Sequence, residues 1–152
     1  MTYSIWVKLR QIKISNDLRK DILRTEHFET HRGIDFYAFQ KSKDGFHFAI
    51  SLTISKRWIL ANFGKHVNRQ YWNQFTFAVD DEKHACAYVN GAKEMCQYGS
   101  TSVSLSSRGT NFFKVGYYND TNSFTKMFVD DFAVWQSTFT DEEARSLYDV
   151  SK

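Results

Sequence analysis

The sequence predicts an all-β chain, an antiparallel sandwich of many short strands closed at its C-terminal end by one short helix. Three observations carry this expectation. Apolar side chains recur at every second position through most of the chain, the period of a strand with one buried face. Asp-Gly and Asn-Gly dipeptides separate such runs, and both supply the positive φ that tight hairpins need. A single Thr-x-x-Glu box, Thr140 to Glu143, opens the one stretch with helical spacing. The length of 152 residues suits one domain with one core over 1–152. An aromatic content of 17%, with 14 Phe, favours packed strands over a disordered chain.

The elements follow in order. "SIWVKL" places Ile5, Val7 and Leu9 on one face. Shorter strands are expected at 22–25, 35–40, 58–62, 103–106 and 112–118. "FHFAISLTI" is the longest clean alternation, with Phe46, Phe48, Ile50, Leu52 and Ile54 on one side and His47, Ala49, Ser51, Thr53 and Ser55 on the other. Asp44-Gly45 should pair 37–40 with 46–54. "NQFTFAV" repeats the pattern with Phe75, Phe77 and Val79, and Asn90-Gly91 should pair 84–89 with 92–97. On the closing strand Phe128, Asp130, Phe132 and Val134 share a face; if that face is the core, Asp130 is buried, needs a partner and orders a neighbouring loop. Thr140 is the expected N-cap, Asp141, Glu142 and Glu143 complement the helix dipole, and Ala144, Leu147 and Tyr148 form the apolar stripe.

Four segments, taken together, resemble a known family. "YSIWVKL" is similar to an early strand with a Trp-Val pair. "YWNQFTFAVDDEKHACAYVNG" is similar to an aromatic-led strand, a turn, and a strand ending Tyr-Val-Asn-Gly. "FFKVGYY" resembles a strand with a Val-Gly step, and "VDDFAVWQSTFTDEEARSLY" a closing strand with paired Asp followed by a Thr-capped acidic helix. In this order they resemble the laminin-G and pentraxin-like domains of the concanavalin A-like lectin/glucanase superfamily, over most of residues 3–148. The resemblance implies a jelly-roll sandwich. The family's strand before the "YSIWVKL" equivalent is missing here, so the domain is expected to be trimmed at its N-terminus or to pair that edge with a preceding segment.

The resemblance also frames the chemistry. Hydrolases of this fold resemble one another in a Glu-x-Asp-x-x-Glu or Glu-x-Asp-x-Glu motif, because glycosidic cleavage needs two carboxylates across a cleft. None of Glu26, Glu29, Glu82, Glu94, Glu142 and Glu143 begins such a motif, so the chain is read as non-catalytic. Many relatives bind calcium at the sandwich rim. Asn119 and Asp120 in "YYNDTNS" resemble one side of such a site, and Asp35 in "RGID" is the contributor on the other; a hard cation wants six or more oxygens, so an ordinary polar loop is the competing reading. Asn119-Asp120-Thr121 is also a glycosylation sequon. His27 and His31 in "HFETH" have helical metal spacing, but Phe28 stands where a zinc protease needs Glu, and a polar loop is the reading adopted.

Cys86 and Cys96 flank Asn90-Gly91. With a three-residue loop they face each other and can bond; with a two-residue loop they slip by one and cannot. The even count points to an oxidising compartment.

Charge divides the chain. Residues 1–76 hold 13 Lys+Arg against 6 Asp+Glu, and residues 77–152 hold 7 against 11. Arg32, Lys41, Lys43, Lys56, Arg57, Lys65 and Arg69 make the first half basic and are the candidate contacts for a sulfated or otherwise anionic ligand, against the alternative of solvated strand edges and loops. Without a nucleic-acid module, charge alone does not argue for DNA or RNA. No apolar run approaches a membrane helix, and "MTYSIWVKLRQ" lacks the layout of a signal peptide. Gly-rich phosphate loops and nucleophile elbows are also missing. Trp6, Trp58, Trp72 and Trp135 are read as packing residues, with a sugar-stacking platform as the rival.

The expected function is a non-catalytic extracellular or cell-surface recognition module of a larger adhesion or matrix protein. It would bind a glycan, a sulfated polysaccharide or a protein through rim loops, with calcium as the one candidate cofactor. The alternatives are a structural matrix-assembly or mineral-associated module and a divergent glycan hydrolase.

Overall fold

The structure is a computed structural model, and it describes residues 1–9, 20–27, 34–42, 45–52, 60–64, 67, 71–80, 84–98, 111–115 and 127–152. Among these the chain forms ten strands and one helix: β1 (Thr2–Leu9), β2 (Lys20–His27), β3 (Ile34–Ser42), β4 (Gly45–Leu52), β5 (Leu60–Phe63), β6 (Asn73–Val79), β7 (His84–Val89), β8 (Ala92–Tyr98), β9 (Asn111–Val115), β10 (Met127–Trp135) and α1 (Asp141–Ser151). They build two five-stranded sheets, ordered β10-β1-β6-β7-β8 and β5-β4-β3-β2-β9. The chain divides into two compact units, 1–10 with 63–102 and 127–152, and 11–62 with 103–126.

The second unit holds the hairpin expected around Asp44-Gly45. Its strands pair as Phe36↔Ile50 and Ala38↔Phe48, and β2 adds Leu23↔Phe36. Phe36, Ala38, Leu23, Phe48 and Ile50 are all buried, and the rings of Phe36 and Phe48 stack 6.0 Å apart. Period two alone predicts this shared apolar face. The expected strand at 103–106, the hairpin turn and Trp58 lie outside the described residues.

The first unit departs from simple alternation. Ile5, Val7, Phe75, Phe77, Ala87 and Val89 make one buried face. The opposite face of the same strands is buried too: Ser4, Trp6, Gln74, Thr76, Ala78 and Tyr88. The reason is α1. Its Ala144 is fully buried against Ala78, Cys86 and Tyr88, with Phe139 packed alongside. Tyr148 stacks on Trp6 at 5.8 Å, and Gln74 Nε2 donates to Ser151 Oγ at 3.0 Å. β6 is therefore buried on both faces along its whole length, where alternation had pointed to one.

The helix start is as the sequence predicts. Glu143 N donates to Thr140 Oγ1 and Thr140 N donates to Glu143 Oε2, a complete capping box. The segment leading into it is laced to β1 and β6: Thr2 Oγ1 donates to Ser137 O, Phe139 N donates to Thr2 Oγ1, and Thr138 Oγ1 donates to Val79 O.

Two bulges in the first unit change the registers read from sequence. Along β1 and β10, Ser4 opposes Ala133 but Trp6 opposes Asp130, so Ile5 stands against two residues, Asp131 and Phe132. Asp131 adopts φ 44°, and its N–H donates to Asp130 Oδ1 at 2.9 Å. The shared face of Phe128, Asp130, Phe132 and Val134 is thus broken at the bulge. Asp130 is exposed and shapes its own strand, which corrects its expected burial beside a loop. In the second case, Asn90 and Gly91 form a two-residue turn with φ 52° and 72°, and Tyr88 opposes Lys93. A shift of one residue between there and Ala87↔Met95 restores Cys86 opposite Cys96, and the two are bonded. A short loop with a bulge does what the sequence reading required of a longer loop.

Candidate functional site

The face of the first sheet that carries α1 is not covered to its end. The helix reaches Trp6 through Tyr148 and Gln74 through Ser151. Two residues further along the strands stand Lys8, whose Cα partner is Phe128, and Trp72 just before β6. Trp72 is 39% exposed and Phe128 48%, and their rings lie 6.4 Å apart with a tilt of 54°. Tyr71, 64% exposed, precedes them in the chain. Two large apolar rings open to solvent, with Lys8 on the strand between them, form a shelf of a kind that globular surfaces seldom leave without use.

The shelf is held from below. Asn73, fully buried at the start of β6, donates from Nδ2 to the Tyr71 carbonyl at 3.0 Å. Its Oδ1 accepts from Asn90 Nδ2 at 3.1 Å, and Asn90 Oδ1 accepts from Gln74 N at 2.9 Å. The hairpin turn therefore braces the bend that presents Tyr71 and Trp72. Such fixed aromatic positions lower the entropy lost when a ligand binds. Of the other described tryptophans, Trp6 and Trp135 pack on Tyr148 and Phe139.

A second feature is a cleft of about 490 Å³ where the β7–β8 hairpin meets the start of α1, lined among others by His84, Tyr88, Lys93, Phe139 and Asp141. Asp141 accepts from the Tyr88 hydroxyl at 2.9 Å and pairs with the Lys93 ammonium. The Lys93 and Tyr88 hydrogen bonds hold the Asp141 carboxyl below its usual range. Burial, then the Asp141 acceptor, push the Tyr88 phenol upward. Asp141 thus tethers the start of α1 to the hairpin, while Glu143 is committed to the capping box of its own helix.

The residues singled out in the sequence fall as follows. Asp35 is buried in β3, with Arg24 and Ser51 as its Cα partners, so it sits within a strand of the second unit. Lys41 lies at the shift of register near the end of β3, and His27 ends β2. Asn119, Asp120, His31, Arg32, Lys43, Lys56, Arg57, Lys65 and Arg69 lie outside the described residues. The shelf is the part that sequence reasoning undervalued. Alternation had assigned Phe128 to a face that the bulge at Asp131 reverses, whereas the adjacent aromatics of "YWNQ", which cannot both point into one core, were a usable signal.

A family model described as the concanavalin A-like lectin/glucanases superfamily, of laminin-G type, matches residues 1–145. Among solved structures, the heptameric SAP-like pentraxin of Limulus polyphemus aligns with a TM-score of 0.66 at 12% identity, over 97% of this chain and 68% of that one. Domain 4 of AbnA, a GH43 extracellular arabinanase from Geobacillus stearothermophilus, solved with arabinotriose, gives 0.64 at 16%, over 97% and 65%. The botulinum neurotoxin type G receptor binding domain gives 0.64 at 10%, over 98% of this chain and 37% of that one. The chain thus spans little more than a third of the neurotoxin domain and about two thirds of the other two. No curated protein matches it. At these identities the structural likeness speaks to fold, and the fold class is the all-β antiparallel sandwich with one short C-terminal helix. By the match over nearly its whole length, the chain belongs to the laminin-G-like family of the concanavalin A-like lectin/glucanases superfamily.

Proposed function

We propose that this chain is a non-catalytic recognition module that binds a glycan, and that the Trp72–Phe128 shelf is part of its binding surface. The observation that carries the reading is the pair of exposed rings on one sheet face with Lys8 between them along the strand order. The apolar face of a pyranose stacks on such rings, while a lysine amine donates to hydroxyl or sulfate oxygens. The similar arabinanase domain was solved with arabinotriose, and the neurotoxin domain is named for receptor binding; both support a binding role in this fold. A non-catalytic reading is supported by the absence of the Glu-x-Asp pattern from the sequence and by the structural commitments of Asp141 to Tyr88 and Lys93 and of Glu143 to the helix cap. An extracellular or cell-surface setting is supported by the Cys86–Cys96 disulfide.

The test is a panel of neutral and sulfated oligosaccharides followed by Trp fluorescence and calorimetry. Trp72→Ala and Phe128→Ala should each weaken binding about tenfold or more without lowering the melting temperature, whereas Phe139→Ala should lower the melting temperature and leave affinity intact. Full affinity in the Trp72→Ala, Phe128→Ala double variant would remove the shelf from the proposal.

A further inference from the structure

The disulfide does not stand alone. His84 and Cys86 are two apart on β7 and so project from one face; Cys96 is the cross-strand partner of Cys86 on β8 and joins them there. One nitrogen of His84 and the two sulfurs all lie within 4.8 Å of one another. His84 Nε2 is 3.5 Å from Cys86 Sγ. Around tetrahedral zinc, with Zn–S near 2.3 Å and Zn–N near 2.0 Å, ligand atoms stand about 3.5–3.8 Å apart. The His84–Cys86 spacing therefore already suits a shared ion, and only the two sulfurs would have to part.

The imidazole is also oriented as metal-binding histidines are. Its Nδ1 faces Asp80 Oδ2 at 3.5 Å, and Asp80 Oδ1 accepts from the His84 backbone N–H at 2.8 Å. The Tyr98 ring stacks on it at 4.5 Å and 24°. A carboxylate beside one ring nitrogen turns the other toward the sulfurs. Cys96 is exposed, so a reductant can reach it, while Cys86 is buried and its position is set by β6 and β7. The cleft that His84 and Cys86 help to line leaves room for a fourth ligand.

We propose that reduction of the Cys86–Cys96 bond converts this face of the hairpin into a zinc site, with Cys86 Sγ, Cys96 Sγ and His84 Nε2 as ligands, Asp80 as the residue that positions His84, and a fourth position open to water. The electrons come from a thiol reductant. A thiolate attacks Cys96 Sγ and releases Cys86 as thiolate; a second thiolate displaces Cys96 and leaves as the oxidised disulfide. Two reductant thiols thus become one disulfide, and two protein thiols form. Zinc then replaces the two thiol protons, which pass to solvent. The hairpin has reason to survive reduction, because β7 is paired on both sides and the turn is braced by Asn90 and Asn73.

The experiment uses the full chain. Wild type is reduced with a phosphine, which takes up oxygen from water as the disulfide gains two protons, and is titrated with zinc against a chromogenic chelator and separately with cobalt(II). One zinc per reduced chain, none in the oxidised chain, and a thiolate-to-cobalt charge-transfer band with tetrahedral visible bands are expected. Asp80→Asn should weaken zinc binding about 10–100-fold, and His84→Ala by at least as much. Cys86→Ala with Cys96→Ala should abolish binding while retaining the near-UV circular dichroism of the wild type. Zinc should raise the melting temperature of the reduced chain alone. Unchanged affinity in His84→Ala, equal binding by the oxidised chain, or a reduced chain that loses its near-UV signal and does not regain it with zinc would each overturn the proposal.

Discussion

Replacing Gly91 by alanine tests the contact on which the packing of α1 depends. Gly91 adopts φ 72° in the β7–β8 turn. A Cβ there would lie 3.0 Å from Tyr148 Cβ and 3.2 Å from Arg145 Cα. These are atoms that no rotamer change can move, so the helix itself must retreat. Tyr148 is the residue stacked on Trp6, and the retreat would loosen that stack as well. Two costs add. Left-handed backbone in a residue with a Cβ costs about 1–2 kcal/mol, and forcing extra volume into a packed contact costs about 1–3 kcal/mol. Gly91→Ala should therefore lose about 3 kcal/mol, or roughly 6–12 °C in melting temperature for a chain of this size. Urea unfolding with the disulfide intact measures it, as a lower midpoint at unchanged m. Gly91→Asn separates the terms, because asparagine tolerates this φ and keeps the steric cost. If Gly91→Asn is neutral and Gly91→Ala loses no more than about 1 kcal/mol, the hairpin does not press on the helix as described.

Thr140→Ala removes one arm of the capping box and should cost about 1 kcal/mol by thermal unfolding, with little added by Glu143→Ala in the same chain. Asp141 titrates below its ordinary 3.8 in the folded chain because Lys93 and Tyr88 bond its charged form. That stabilisation is present above the unfolded value and is lost as pH falls through the folded one. The melting-temperature gap between wild type and Asp141→Asn should hold near neutrality and close below about pH 4. If the basic half of the chain meets a polyanion, heparin retention should fall steeply with salt, and Lys56→Glu with Arg57→Glu should reduce it more than Lys126→Glu with Arg145→Glu; equal losses would mean that only net charge is sensed. If Asn119 and Asp120 hold calcium, millimolar calcium should raise the melting temperature and Asp120→Ala should abolish the rise; a rise that survives the substitution places the ion elsewhere.

What sequence determines here is whatever depends on near neighbours. Alternation at Phe36, Phe48 and Ile50 names a buried strand face because the strand period is local. Asn90-Gly91 names its turn because few residues accept two successive positive φ values. Thr140 and Glu143 cap a helix because both partners lie within one turn. Tertiary structure decided what depends on registers and on distant cover. Ser4, Trp6, Gln74 and Thr76 are buried because a helix more than sixty residues further along the chain lies over them, and no local period records that. Cys86 meets Cys96 only because one extra residue bulges out of β8. Phe128 turns outward, beside Trp72, because Asp131 takes a left-handed conformation and reverses the parity of β10. A bulge costs little and leaves no composition signal, yet it moves every side chain beyond it to the other face. For that reason the fold class was legible in the amino-acid order, while the exposed aromatic shelf and the His84–Cys86–Cys96 cluster took shape only once the strands were paired.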